Sequence, residues 1–268
     1  MFFILLFFVG TYANAQKLPK VQQVSKRAPL NIKIDGKTNE WNNKFLAYNT
    51  NVDLFYTLSN DDKNLYLTVR AVDPLVIRKI INGGLVFTIN TSDNKSDKSH
   101  NISFGYPVFD RQNWPILNIR QKPVVTKDSS ISSKQVDSFM YAANQQMSTK
   151  AKEIKISGIS AIDDTLISVY NDYEIKASGL FDHQVAYNFE LAIPLKYLGL
   201  NVNEKQKFSY NILLNGSDHV EGVILLSKNY VNGEARGGMI VPKNPPRGIE
   251  IEYMRYPNDF WGEYTLAK

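Results

Sequence analysis

One irregular stretch, Tyr106-Pro107-Val108-Phe109-Asp110-Arg111-Gln112-Asn113-Trp114, gathers three aromatic rings, a carboxylate, a guanidinium and two amides. Such a set suits a polyhydroxylated ring, because flat aromatic faces stack on its apolar face and planar polar groups bridge its hydroxyls. Tyr106, Phe109 and Trp114 are the candidate platforms, and Asp110 and Arg111 the candidate clamps. Pro107 and Pro115 stiffen the stretch, which lowers the entropy lost on binding. The same aromatics equally suit a packing role, pinning a long loop onto a core. A second cluster combines Lys243-Asn244-Pro245-Pro246-Arg247 with Tyr253, Arg255, Tyr256 and Asp259. There the alternation from Ile249 to Met254 predicts a strand.

Covalent and metal chemistry have little to start from. With no cysteine, disulfides, thiolate zinc sites and cysteine nucleophiles are excluded. The chain contains no H-E-x-x-H, G-x-S-x-G, P-loop or G-x-G-x-x-G pattern. His100, His183 and His219 are far apart and flanked by turn residues, as expected of loop histidines. Carboxylates are plentiful, but no spacing singles out a pair for glycoside hydrolysis.

The elements that must position these groups follow from composition and patterning. At 268 residues, 43% hydrophobic and 12% aromatic, the chain can bury one sizeable core. Its net charge of +5 is spread among interspersed acids without a basic stripe, so no nucleic-acid partner is expected. Phe2 to Val9 is an unbroken apolar run, and Ala13-Asn14-Ala15 supplies a small-x-small cleavage pattern. Residues 1–15 are therefore expected to be a signal peptide, with the protein exported to periplasm, cell surface or medium. The run is too short to cross ~30 Å of hydrocarbon, so no integral membrane span is expected.

Residues 16–29 are polar and basic and read as an N-terminal arm. Period-two alternation then predicts strands over 30–34, 52–58, 65–72 and 85–89, and again over 153–159, 165–170, 173–177, 184–193, 207–214 and 220–226. Asn60-Asp61-Asp62-Lys63-Asn64 is a dense turn cluster, making a hairpin of the second and third. Residues 91–152 read as a loop-rich insertion, with helical character at Pro74 to Ile81, Pro194 to Leu198 and, weakly, Lys134 to Met147. Many short strands at hairpin spacing predict an all-β, antiparallel, jelly-roll-like sandwich with a few short helical turns, a single domain over 30–268.

Four segments in order carry a family resemblance. Ile34-Asp35-Gly36-Lys37-Thr38-Asn39-Glu40-Trp41 resembles the "I-D-G-x-x-x-E-W" opening of carbohydrate-binding module family nine and its DOMON-like relatives. Leu65-Tyr66-Leu67-Thr68-Val69-Arg70-Ala71-Val72-Asp73 is similar to that family's "L-Y-h-x-h-x-V-x-D" strand. Glu190-Leu191-Ala192-Ile193-Pro194-Leu195-Lys196-Tyr197-Leu198-Gly199 resembles its "E-x-x-I-P-h-x-x-L-G" turn, and Trp261-Gly262-Glu263-Tyr264-Thr265-Leu266 its closing "W-G-x-x-x-L" strand. Physically these are fold signatures, so Trp41 and Trp261 are expected to pack in the core. Sugar-binding and calcium-binding members carry an acidic pair where this chain has Asn82-Gly83-Gly84-Leu85-Val86-Phe87-Thr88. No cofactor is therefore expected; for calcium, only Asp61, Asp62 and Asp73 are at hand as oxygen ligands.

The resemblance implies an exported, non-catalytic carbohydrate-binding sandwich with a carbohydrate ligand, while the sandwich edge and the basic arm offer surfaces for a protein partner at the cell surface or in the periplasm. Two alternatives stand beside it. One is an exported glycan-degrading enzyme with a carboxylate pair across a cleft. The other is a structural or assembly protein that kept the fold and lost the ligand.

Overall fold

Most of the predicted alternation forms strands, stacked as two antiparallel sheets. The structure, a computed structural model, describes residues 17–42, 44–92, 96–109, 113–119, 122–125, 130–204, 206–217, 229–231, 234–236 and 248–268. The strands are β1 (Ala47–Asn49), β2 (Leu54–Asn60), β3 (Asn64–Ala71), β4 (Leu85–Asn90), β5 (Asn101–Val108), β6 (Glu153–Ser157) and β7 (Leu166–Ser168). After them come β8 (Lys176–Phe181), β9 (Tyr187–Pro194), β10 (Lys207–Leu214), β11 (Asn229–Val231), β12 (Glu234–Arg236) and β13 (Asn258–Thr265). One sheet has the order β1-β2-β3-β9-β8 and the other β13-β10-β4-β5-β6-β7, while β11 and β12 pair with each other. The fold is an all-β sandwich.

The inner faces interdigitate through aromatic rings. Tyr106 of β5 stacks on Phe189 of β9 at 5.4 Å and 17°. Tyr56 of β2 meets Tyr210 of β10 edge-on at 6.3 Å, their hydroxyls 2.9 Å apart. Tyr187 of β9 also faces inward and is buried, and its hydroxyl has no partner. Gly179 of β8 makes room for it, since a Cβ there would lie 2.0 Å from that oxygen. Removing an unsatisfied buried hydroxyl recovers its desolvation cost. Tyr187→Phe is therefore expected to stabilise the protein by about 1 kcal/mol, read as a higher urea midpoint at unchanged slope.

Four corrections to the sequence reading concern elements. Residues 101–108, inside the stretch read as an insertion, form β5 at the middle of its sheet. Residues 130–150 form α2 (Ser130–Lys150), a helix of 21 residues that is longer than the weak helical segment expected over Lys134 to Met147. Its buried Val136, Ala143 and Met147 and half-buried Phe139 recur at helical spacing. The segment 248–255, expected as a strand from Ile249 to Met254, is the helix α3 (Gly248–Arg255). Residues 30–34 do not join a sheet either, and Asn31 has φ +64°. The expected strand 220–226 lies outside the described residues. The helix expected from Pro74 is present as α1 (Pro74–Gly83), with Asp73 Oδ1 accepting from Leu75 N at 2.7 Å and Val76 N at 3.2 Å.

Residues 22–28 of the N-terminal arm run along the open end of β2. Gln22 exchanges side-chain bonds of 2.8 Å with both the N–H and the carbonyl of Leu58, and Asn60 N donates to Lys26 O at 3.0 Å. On its other side Lys26 N donates to the Tyr264 hydroxyl of β13 at 3.0 Å. The arm thereby closes one seam of the sandwich, covering a strand edge that would otherwise offer unpaired backbone.

Candidate functional site

The predicted site is only partly assembled. Tyr106 belongs to the core, only 4% exposed, and it alternates inward with Phe104, so its stacking face is already taken by Phe189. This corrects its assignment as a platform. Phe109 and Trp114 do come together, ring centroids 5.6 Å apart, and both are half-buried. Phe109 packs against the core, and the chain around Trp114 is strapped to α2. Lys150 Nζ donates to Trp114 O at 2.8 Å, and Gln146 bonds both the N–H and the carbonyl of Ile116 at 2.7 Å. Asp110 and Arg111 lie outside the described residues. So does 243–247 of the second cluster; its Tyr253 is half-buried under Lys79, and its Asp259 accepts from Asn211 Nδ2 at 2.5 Å.

An aromatic that the sequence reading passed over is better placed. Tyr170 is 76% exposed and stands over a cleft of about 630 Å³. It sits in the turn after β7, which Asn171 fixes from within. Asn171 Nδ2 donates to Ser168 O and Ile175 O, both at 2.7 Å, while its Oδ1 accepts from Tyr173 N and Ile175 N. Ser168 Oγ accepts from Tyr170 N at 3.1 Å. Lys152 Nζ donates to the Tyr170 hydroxyl at 2.7 Å and lies 4.8 Å from the ring centroid. Backbone and ring are thus held before any ligand arrives, which reduces the ordering cost of binding. The available signal was an aromatic beside an Asn-Asp turn, Tyr170-Asn171-Asp172; the strand expected over 165–170 absorbed it.

Three other elements complete the cleft. Its floor is Tyr106 with Ala177 to Leu180 of β8, and one wall is the α2 end at Met147 and Ser148. That helix is fastened to the edge of β8 by Asn144, which donates to Phe181 O at 2.9 Å and accepts from Phe181 N at 2.7 Å, as a neighbouring strand would. The opposite wall is Ile34 and Asp35, in the first of the four family-like segments.

Glu190, from the third segment, holds that wall. It lies on the outer face of β9 at zero exposure, and its Oε2 accepts from Asp35 N at 3.2 Å and Gly36 N at 3.0 Å. Its Oε1 is buried without a partner. Burial pushes the carboxyl up to about 8, against the pull of the two N–H donors, and Glu40 and Asp35 push the same way. At neutral pH it is therefore mainly the uncharged acid. Gly36, at φ +79°, is required at this bend, because a Cβ would lie 2.9 Å from Leu180 N. Trp41 is buried, as expected; Trp261 is not, being 39% exposed on the outer face of β13 between inward-facing Phe260 and Gly262.

The acids considered for calcium have protein partners. Asp61 accepts from Lys63 N, Asn64 N and the Tyr66 hydroxyl, Asp62 pairs with Arg27 at 2.8 Å, and Asp73 caps α1. Among the described residues no group of three His, Asp or Glu is arranged to hold a metal ion, and no helix is long and apolar enough to cross a membrane.

No family model and no curated protein matches the chain. Among solved structures it is similar to a carbohydrate binding module family 9 from Caldicellulosiruptor kristjanssonii in complex with glucose. The identity is 11% and the TM-score 0.35, over 73% of this chain and 78% of that one.

Proposed function

We propose that this protein is an exported sandwich that binds carbohydrate without altering it chemically, through the cleft headed by Tyr170. The observation that carries the reading is an exposed ring held rigid by Lys152 and Asn171 above a cleft whose mixed lining includes the short polar side chains of Asp35, Ser148 and Ser178. A sugar face stacks on such a ring while its hydroxyls exchange water for the Ser148, Ser178 and Asp35 side chains that line the cleft. Phe109 and Trp114, strapped to the same end of α2, with Asp110 and Arg111 adjacent in sequence, are proposed as a second contact. Export is supported by the apolar run from Phe2 to Val9 and the Ala13-Asn14-Ala15 pattern.

The glycan-degrading alternative finds its most acid-like group in Glu190, and the burial of that group argues against it. A general acid must reach the glycosidic oxygen, whereas Glu190 has no exposed surface and its Oε2 holds two backbone N–H groups.

Tyr170→Ala tests the reading. Because the side chain is exposed, melting temperature should be unchanged, while affinity for the bound glycan should fall at least tenfold, about 1.4 kcal/mol, by calorimetry. Unchanged affinity in the variant, or a wild type that binds no member of a broad oligosaccharide panel, would overturn it.

A further inference from the structure

A larger groove, about 760 Å³, adjoins the Tyr170 cleft, and Ile34 and Lys176 line both. It runs over the outer face of the β3–β9–β8 sheet, with Tyr66, Ala192 and Pro194 among its lining. Four separate segments bring lysines to it: Lys33 from the loop after the arm, Lys63 from the β2–β3 turn, Lys176 from the start of β8 and Lys196 from the turn after β9. The two acids on the rim are already engaged, Asp62 with Arg27 at 2.8 Å and Glu174 with Lys196 at 3.6 Å. Lys33, Lys63 and Lys176 are exposed and form no ion pair with the carboxylates among the described residues. An apolar floor beneath the exposed ammonium groups of Lys33, Lys63 and Lys176 suits a ring that carries negative charge, since each lysine acts as a point charge without demanding a fixed geometry.

We propose that this groove extends the Tyr170 cleft into a site for an anionic polysaccharide. One sugar unit stacks on Tyr170, and the acidic groups of the following units meet Lys176, Lys33 and Lys63. This rests on the reading that the Tyr170 cleft takes sugar. Carboxylates of uronic acids and sulfate esters share the required chemistry, and the choice of probes separates them.

The test compares polygalacturonate, dextran sulfate and neutral dextran of similar length as ligands in calorimetry. The proteins are wild type, the triple variant Lys33→Ala, Lys63→Ala, Lys176→Ala, and a control variant Lys98→Ala, Lys134→Ala, Lys155→Ala that removes the same charge elsewhere. Wild type should bind one of the two anionic chains at least tenfold more tightly than dextran, and about 0.5 M salt should erase that margin. The groove variant should lose the margin, and the control variant should keep it. Equal loss in the control would reduce the effect to net charge and overturn the proposal. Binding of neutral dextran as tight as that of the anionic chains, still sensitive to Tyr170→Ala, would overturn it while leaving the carbohydrate reading intact. Absence of binding to all three would overturn both for these ligands.

Discussion

Glu190→Gln is expected to leave stability near pH 5 almost unchanged and to make the protein distinctly more stable than wild type near pH 9. The amide keeps the shape of the carboxylic acid, and its oxygen still accepts from Asp35 N and Gly36 N. What it removes is a proton whose affinity differs between the folded and unfolded chain. Between 4.5 and about 8 native Glu190 retains a proton that the unfolded chain releases, so wild-type stability falls as pH rises through that window. The window corresponds to at most about 5 kcal/mol. Asp61 does not confuse the reading: its carboxyl is held below its ordinary value of 3.8, so its contribution changes only at lower pH. Glu190→Ala acts differently, leaving two buried N–H groups unpaired and a cavity behind, at a cost of about 2–4 kcal/mol at every pH. Because Ile34 and Asp35 form a wall of the cleft, that variant should also weaken glycan binding under conditions where it is still folded. Urea titrations of the three proteins across this range decide the matter, and a Glu190→Gln curve as steep as wild type would remove the carboxyl from the account.

The link between Glu190 and Gly36 also shows how far the sequence could be read. Two of the family-like segments, far apart in the chain, are bonded to each other here, which gives a physical reason for their joint appearance. The strand from Lys207 to Leu214 was legible to the residue, because Phe208, Tyr210 and Ile212 alternate with Lys207, Ser209 and Asn211 before the run closes on Leu213 and Leu214. β5 was hidden by Pro107, which a strand accommodates only at an irregularity; the β5–β6 register shifts between Gly105 and Val108. Once β5 is missed, Tyr106 looks like a loop aromatic. α2 was obscured because its inward stripe includes the small Ala143 among serines and glutamines, so its stability comes from docking on β8 rather than from its own pattern. Over 249–254 the alternating Ile249, Ile251 and Tyr253 imitate a strand, yet Ile249 is 81% exposed and Met254 is buried. There the contacts of α3 with α1 override local preference.

Those contacts centre on Lys79, and Lys79→Met is expected to cost about 2–4 kcal/mol at neutral pH. Lys79 is buried on α1, yet its ammonium donates to Tyr253 O at 2.6 Å and to Tyr256 O, and it lies 4.2 Å from the Tyr253 ring. Beside it Arg78 pairs with Glu250 at 3.7 Å. The charge therefore sits where the carbonyls ending α3 converge, the negative end of that helix. Methionine preserves the stem volume and leaves both carbonyls without this donor, so α3 should exchange its amide hydrogens faster in the variant. The pH dependence has the opposite sign to that of Glu190. Burial pulls Lys79 from 10.5 down to about 8, so between those values the unfolded chain binds a proton that the native protein has lost, and stability rises with pH. Lys122, which burial also lowers, adds to the same limb. With Glu190 imposing a fall up to about 8 and Lys79 a rise beyond it, wild-type stability should pass through a minimum near pH 8. Glu190→Gln should flatten the acidic limb, and Lys79→Met should shorten the alkaline one. A wild-type urea midpoint that changes in one direction only from near pH 5 to near pH 9, below the range where unfolded tyrosines release protons that the buried ones keep, would refute the pairing of these two buried groups, even if Lys79→Met proved too unstable to study.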